Sequence, residues 1–287
     1  PLAVRLATDA MGLSFESLVF SGCGVALEAP CQNGVRFLNC AFICVKGDFA
    51  IRGDLLGDTG PDRVLIRQCV FEECGVDRQN SFAELPSSDP SGQIAFSFGT
   101  GAVWMPREAR GWTIEYCGFV TCRGVPLRLH GSECTDLDTD FEAKPTKPDL
   151  RHEMIAIGST ETVVLSRLRL GNEPAVPNDV ITLVGNGPWP PPEPSLPSGP
   201  VNNVILHGSH AQGVDAESLR SGTSAVLDVR VPVRGLRVSD LTVGSSYSGA
   251  IRLTRSALAG SGELASVGSS QNAACRIGTS ADADNAP

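Results

Sequence analysis

Apolar residues in this chain recur at a period of two, in short bursts interrupted by a polar pair. Four segments superpose without gaps: LSFESLVF at 13–20, VRFLNCAF at 35–42, VLIRQCVF at 64–71 and WTIEYCGF at 112–119. Three weaker copies follow: VVLSRLRL at 163–170, VILHGSHA at 204–211 and LRVSDLTV at 236–243. Each octet is apolar at positions one and three, mostly polar at four and five, and mostly apolar at six and eight. A period-two strand, a two-residue corner and a second period-two strand produce that signature.

A further strand follows most octets after a small-residue turn: GVAL at 24–27, FAI at 49–51, GAVWM at 101–105, GVPL at 124–127, ITL at 181–183, AVL at 225–227 and GAIRL at 249–253. AVRL at 3–6 fits as the same strand of a partial coil before the first octet. Three short strands per repeat, with no capped 3.6-residue period, exclude a helical repeat. Asn-Gly and Asp-Gly turns are scarce, which counts against a hairpin sandwich. A parallel solenoid satisfies the pattern, because each strand then pairs with its equivalent one coil away and the apolar alternates stack inward.

The composite pattern VxIxxCxFxxCxGxAI, carried by the octets and their following strands over residues 3–255, resembles right-handed parallel β-helix proteins of the pectate-lyase-like superfamily. The resemblance implies an all-β fold, a right-handed single-stranded parallel β-helix of about eight or nine coils with long loop insertions. Phe15, Phe37, Ile66, Ile114, Leu165, Leu206 and Val238 are expected to form one inward column. Where that superfamily often stacks Asn at the corner, this chain carries Cys40, Cys69 and Cys117. A second column, Cys23, Cys44, Cys74 and Cys122, is expected after the third strand. Position six alternates between Cys and Leu, so these thiols read as small buried hydrophobes rather than zinc ligands, while a coil spacing of about 4.8 Å leaves stacked disulfides open.

The solenoid is expected over residues 1–257, with insertions near 75–93, 131–152 and the proline-rich stretch 185–200. Residues 258–287, rich in Ser, Gly and Ala, read as a tail packed on the solenoid or on a partner. There are 23 basic against 32 acidic residues, a net charge of −9. That balance supports no nucleic-acid footprint. No apolar run approaches the ~18 residues of a transmembrane helix.

In the superfamily, the strand after the octet builds the ligand groove. Alternation with Val4, Val25, Phe49, Ile51, Val103, Met105, Leu127 and Leu129 taken as inward turns Arg5, Arg52, Trp104, Arg128, His130 and Arg252 outward. An indole face packs on a sugar ring and guanidinium groups clamp carboxylates, so Trp104, Arg5 and Arg252 read as substrate-binding residues for an acidic polysaccharide. Arg52, Arg128 and His130 read as the catalytic candidates of a lyase or hydrolase, with Asp54 nearby. The pectate-lyase motif WIDH is absent, and RxPxxR is approached only by Arg230–Arg234, one residue short. Asp136, Asp138 and Asp140, with Glu142, offer alternating oxygen ligands that suit Ca²⁺; no other cofactor is indicated. His207 and His210 flank a corner and form a weaker metal candidate.

Two functions follow. One is an extracellular β-helix that binds, and in the enzyme case cleaves or epimerises, an acidic polysaccharide. The other is a structural subunit of a surface, stalk or multiprotein assembly, with protein partners and an oligomeric state.

Overall fold

A computed structural model describes residues 2–6, 12–28, 34–45, 49–54, 60–75, 101–106, 109–122, 126–143, 154–158, 161–172, 181–183, 201–212, 225–229, 233–243, 249–253, 265–268 and 275–277. All regular elements among them are strands. They form a single-stranded parallel β-helix with three long sheets. The first sheet has nine strands, from Leu2–Leu6 through Gly24–Glu28, Ile51–Asp54, Val103–Met105 and Leu127–Leu129 to Gly249–Leu253. The second has ten, from Ser14–Glu16 to Cys275–Ile277, and the third has eight, from Val19–Ser21 to Thr242–Val243. The first and third sheets are parallel throughout, and the second turns antiparallel only at its last pair. No helix of the described residues is long and apolar enough to cross a membrane.

The octet maps onto this architecture directly. Positions two to four lie in the second sheet and positions seven to nine in the third. Position five is the corner, held in the left-handed region at Ser17, Asn39, Gln68, Tyr116, Asp138, Arg167, Gly208 and Asp240, with φ between 52° and 59°. A single left-handed residue turns the chain sharply and leaves both flanking strands extended. The peptides that flank the corner residue stay paired. The position-five N–H donates to the position-four carbonyl of the next coil, as Asn39 to Arg67 and Gln68 to Glu115, both at 3.0 Å. The position-seven N–H donates back to position six of the preceding coil, as Gly118 to Cys69 at 2.9 Å. Left-handed residues recur at position ten (Gly22, Cys44, Glu73, Thr121) and just before position one (Gly34, Arg63, Gly111, Glu133, Asn203, Gly235). At Gly235 the turn is free of the strain that Arg63, Glu133 and Asn203 carry at the same place, and an added Cβ would meet only the movable Asn203 Oδ1 at 2.6 Å.

The interior is built of columns. Position eight stacks Phe20, Phe42, Phe71, Phe119 and Phe141 in register, with ring centroids 4.6–5.1 Å apart and planes within 8°. Position three stacks Phe15, Phe37, Ile66 and Ile114, then Leu165, Leu206 and Val238, as expected. Between Ile114 and Leu165 the register inserts Asp136. The stretch 131–152, expected as an insertion, therefore begins with a full coil. Its strands Cys134–Leu137 and Asp140–Ala143 repeat the octet, with Thr139 at position six and Phe141 at position eight. Two polar residues at inward positions hid this copy from hydrophobic periodicity.

Cys40, Cys69 and Cys117 are buried at position six. Each thiol donates to the position-three carbonyl one coil back, Phe15 at 3.3 Å, Phe37 at 3.4 Å and Ile66 at 3.5 Å. Cys74 and Cys122 repeat this geometry at the next corner, on Phe42 and Phe71 at 3.4 and 3.2 Å. The thiol thus combines a small apolar body with a weak donor for a corner carbonyl. Cys44 does not join that column. It takes the left-handed corner, and Val45 fills the interior place, because Cys44 comes one residue early in its coil. Residues 75–93, 185–200 and most of 258–287 lie largely or wholly outside the described residues.

The corner account makes a direct test of backbone against side chain. Gln68 is exposed, so Gln68→Val should cost about 1–2 kcal/mol through a β-branched residue at positive φ, while Gln68→Gly should be within a few tenths of neutral. Phe71→Ala, which breaks the ring column, should cost about 3–5 kcal/mol. Urea denaturation of the three variants measures all of these.

Candidate functional site: the outer face of the first sheet

The expected outward row exists as a register column. Arg5 pairs with Ala26, Ala26 with Arg52, Arg52 with Trp104, and Trp104 with Arg128. It continues through Ala156 and Thr182 to Asp228 and Arg252. Val25, Ile51, Val103, Met105, Leu127 and Leu129 face the core and are fully buried, which fixes the row on the opposite side. Alternation along each strand and in-register stacking between coils suffice to bring these residues into line.

The row is only partly open. Arg5 is exposed, and Arg52 and Trp104 keep intermediate exposure. Arg128 is 1% exposed, and Asp228 is fully buried. The Arg128 guanidinium lies 5.2 Å from the centroid of the Phe49 ring, a cation–π contact. Trp104 meets the same ring at 5.4 Å, tilted by 43°. Phe49 therefore belongs to the outer face, a correction to its expected inward place. It precedes the regular strand Ile51–Asp54, so alternation does not govern it. A bulky aromatic next to a strand start was the only available signal.

His130 sits one residue beyond the strand Leu127–Leu129 and is buried. Burial, reinforced by the Arg128 charge, pushes its pKa down to about 3. Its ring is neutral at physiological pH and a weak base. Arg252 stands in register with Asp228, and Asp54 with Glu28.

The three aspartates do not gather into a calcium site. Asp136 points into the core, where Thr139 Oγ1 donates to its Oδ1 at 2.6 Å and its Oδ2 has no hydrogen-bond partner among the described residues. Asp138 is the corner residue and takes a two-pronged contact from Arg167 at 2.7 and 2.6 Å, which holds its carboxyl below the usual range. Asp140 lies on the third sheet, paired to Arg169 of the next coil. Spacing of two residues along the chain becomes divergence once a corner falls between them. His207 contacts Ser239 Oγ at 2.8 Å and Asp240 Oδ2 at 3.4 Å, while His210 stands in register with Arg169 on the third sheet. Among the described residues no group of three or more His, Cys, Asp or Glu is placed to hold a metal ion.

Asp136 instead carries a stability signature. Burial raises its pKa to about 7, with the Thr139 hydrogen bond opposing the rise. An acid whose folded pKa lies above its unfolded value binds more protons when folded, so stability falls as pH rises from about 4 through 7. The urea midpoint should decline across that window, and Asp136→Asn should flatten the decline. Asp136→Leu, continuing the apolar column, should raise stability at pH 8 by about 1–4 kcal/mol.

No family model and no curated protein matches this chain. Among solved structures it is similar to full-length QnrB1, a plasmid-mediated fluoroquinolone resistance protein, at 12% identity and a TM-score of 0.28, covering 84% of this chain and 94% of that one. It is also similar to a trypsin-treated variant of QnrB1, at 9% identity and a TM-score of 0.22, covering 87% of this chain and 92% of the other.

Proposed function

We propose that this chain is a non-catalytic β-helix scaffold that meets partner proteins through its outer faces. The observation that supports this reading most is the packing of the row where a groove was expected. Arg128 is buried against Phe49, and His130 beside it is held near pKa 3, far from the range in which a base works at neutral pH. The third sheet meanwhile leaves an apolar column on its outer face, Val19, Ala41 and Val70 in register, with Val19 67% exposed. Exposed apolar surface of this kind suits protein contact.

A second reading rests on the open end of the row. Arg5 is exposed, and Arg52 and Trp104 are partly so, all on one face. An acidic polysaccharide would run along that face with a ring on the indole and carboxylates on the guanidinium groups. This reading carries with it the pectate-lyase-like relationship and an extracellular or particle-surface setting.

Titration calorimetry with polygalacturonate at low salt separates the two. The scaffold reading expects no binding and no unsaturated product. The glycan reading expects binding that added salt weakens and that Trp104→Ala lowers by about 1–2 kcal/mol. Turnover abolished by Arg128→Ala or His130→Ala, in variants that remain folded, would overturn the scaffold reading.

A further inference from the structure

Two consecutive coils carry thiols at both of their inward corners. In the coil of residues 64–75 these are Cys69 at position six and Cys74 at position eleven, and in the coil of residues 112–122 they are Cys117 and Cys122. All four are buried. The register sets them in pairs. Phe71 stands against Phe119 between the two corners, Gly118 N–H donates to the Cys69 carbonyl at 2.9 Å, and Glu73 N–H donates to the Val120 carbonyl at 3.1 Å. Cys69 therefore lies against Cys117, and Cys74 against Cys122. A coil spacing of about 4.8 Å puts each pair inside the Cα window of a disulfide, about 4.4–6.8 Å. Within each pair one thiol hydrogen-bonds the thiolate of the other, so Cys117 lowers the Cys69 pKa and Cys122 lowers that of Cys74. Cys40 stacks on Cys69 from the other side, but its coil has Val45 at position eleven. No other consecutive pair among the described coils matches thiols at both corners.

The same two coils are the farthest apart along the chain. Their equivalent residues stand 48 apart, against 22, 29, 32 and 41 at other consecutive coils. Closing that excursion costs more chain entropy than closing the others. We propose that Cys69–Cys117 and Cys74–Cys122 are two disulfides, formed with a small-molecule disulfide as oxidant while these coils dock, and that they fasten the solenoid across its longest excursion. This goes beyond the scaffold reading and does not depend on it. The Cys69 thiolate attacks the small disulfide, and one of its sulfurs leaves as a thiol. Cys117 then attacks Cys69 in the mixed disulfide and displaces the second. Two protein thiols are oxidised, the small disulfide is reduced to two thiols, and the two protons end on those leaving groups. Cys74 and Cys122 react in the same way. Both pairs lie at corners rather than in mid-strand, and their Cβ atoms need only approach to about 3.5–4.5 Å. Cys40 keeps its packing role in the column.

The test is a disulfide map of the full chain, refolded from urea in mixed reduced and oxidised glutathione and then alkylated under denaturing conditions. Trypsin cuts after Arg67, Arg78, Arg110 and Arg123, which leaves Cys69 and Cys74 on one peptide and Cys117 and Cys122 on another. The two peptides should be recovered joined, about 4 Da below the sum of their reduced masses. Further cleavage after Glu73 and Phe119 should release Cys69–Cys117 and Cys74–Cys122 as separate linked pairs. Dithiothreitol should lower the urea midpoint of the oxidised chain by about 1 M, because it reopens the long loop. Alkylation of all four thiols on these peptides overturns the proposal. So does a crossed pairing, a Cys40–Cys69 bridge, or a urea midpoint that the reductant does not move.

Discussion

Everything in this structure depends on one residue per corner adopting the left-handed conformation. An extended strand can leave its sheet only if the chain turns, and a wide turn would strand buried peptide groups without partners. A single left-handed residue turns the chain within one step, and the peptides on either side still reach the neighbouring coils. That geometry repeats at Asn39, Gln68, Tyr116, Asp138 and Arg167, residues with little in common except tolerance of solvent exposure. The side chain at the corner is free to vary because the backbone performs the turn.

The columns follow from the corners. Once every octet turns at the same place, equivalent positions stack at the strand spacing, and interior side chains must be compatible with copies of themselves. Phenylalanine meets that condition at position eight by parallel ring stacking. Cysteine meets it at position six, being small enough for the tight corner and able to offer S–H to the carbonyl one coil back. Burial holds the Cys122 and Cys134 thiols protonated, consistent with a packing role. The outer ion pairs obey the same register, Arg67 with Glu115 and Arg169 with Asp140, but at exposed sites they contribute little stability.

The repeat, the parallel pairing and the inward columns were legible because period-two alternation is a strong signal when it recurs many times. Legibility failed where a local feature broke the pattern. Asp136 and Thr139 put polar atoms at inward positions and concealed a coil that the register then revealed. Cys44 was misplaced by one residue because thiol pairs four residues apart (Cys40, Cys44) and five apart (Cys69, Cys74) look alike in sequence. The row Arg5, Arg52, Trp104, Arg128 was readable as a line, since alternation and stacking define it. Its partial closure was not readable, because the placement of Phe49 lies outside any periodic element. Exposure depends on what covers a face, and periodicity speaks only of which face a residue occupies.

Amide hydrogen exchange measured residue by residue by NMR tests the corner account most directly. The amides of Asn39, Gln68, Tyr116, Asp138 and Arg167 donate to the next coil, at 2.9–3.0 Å, although they sit at exposed corners. The account predicts that they exchange as slowly as the amides of Val70 and Thr113, which pair between coils within the sheets. Exchange at the rate of open loops, with slow exchange confined to the strands, would contradict it.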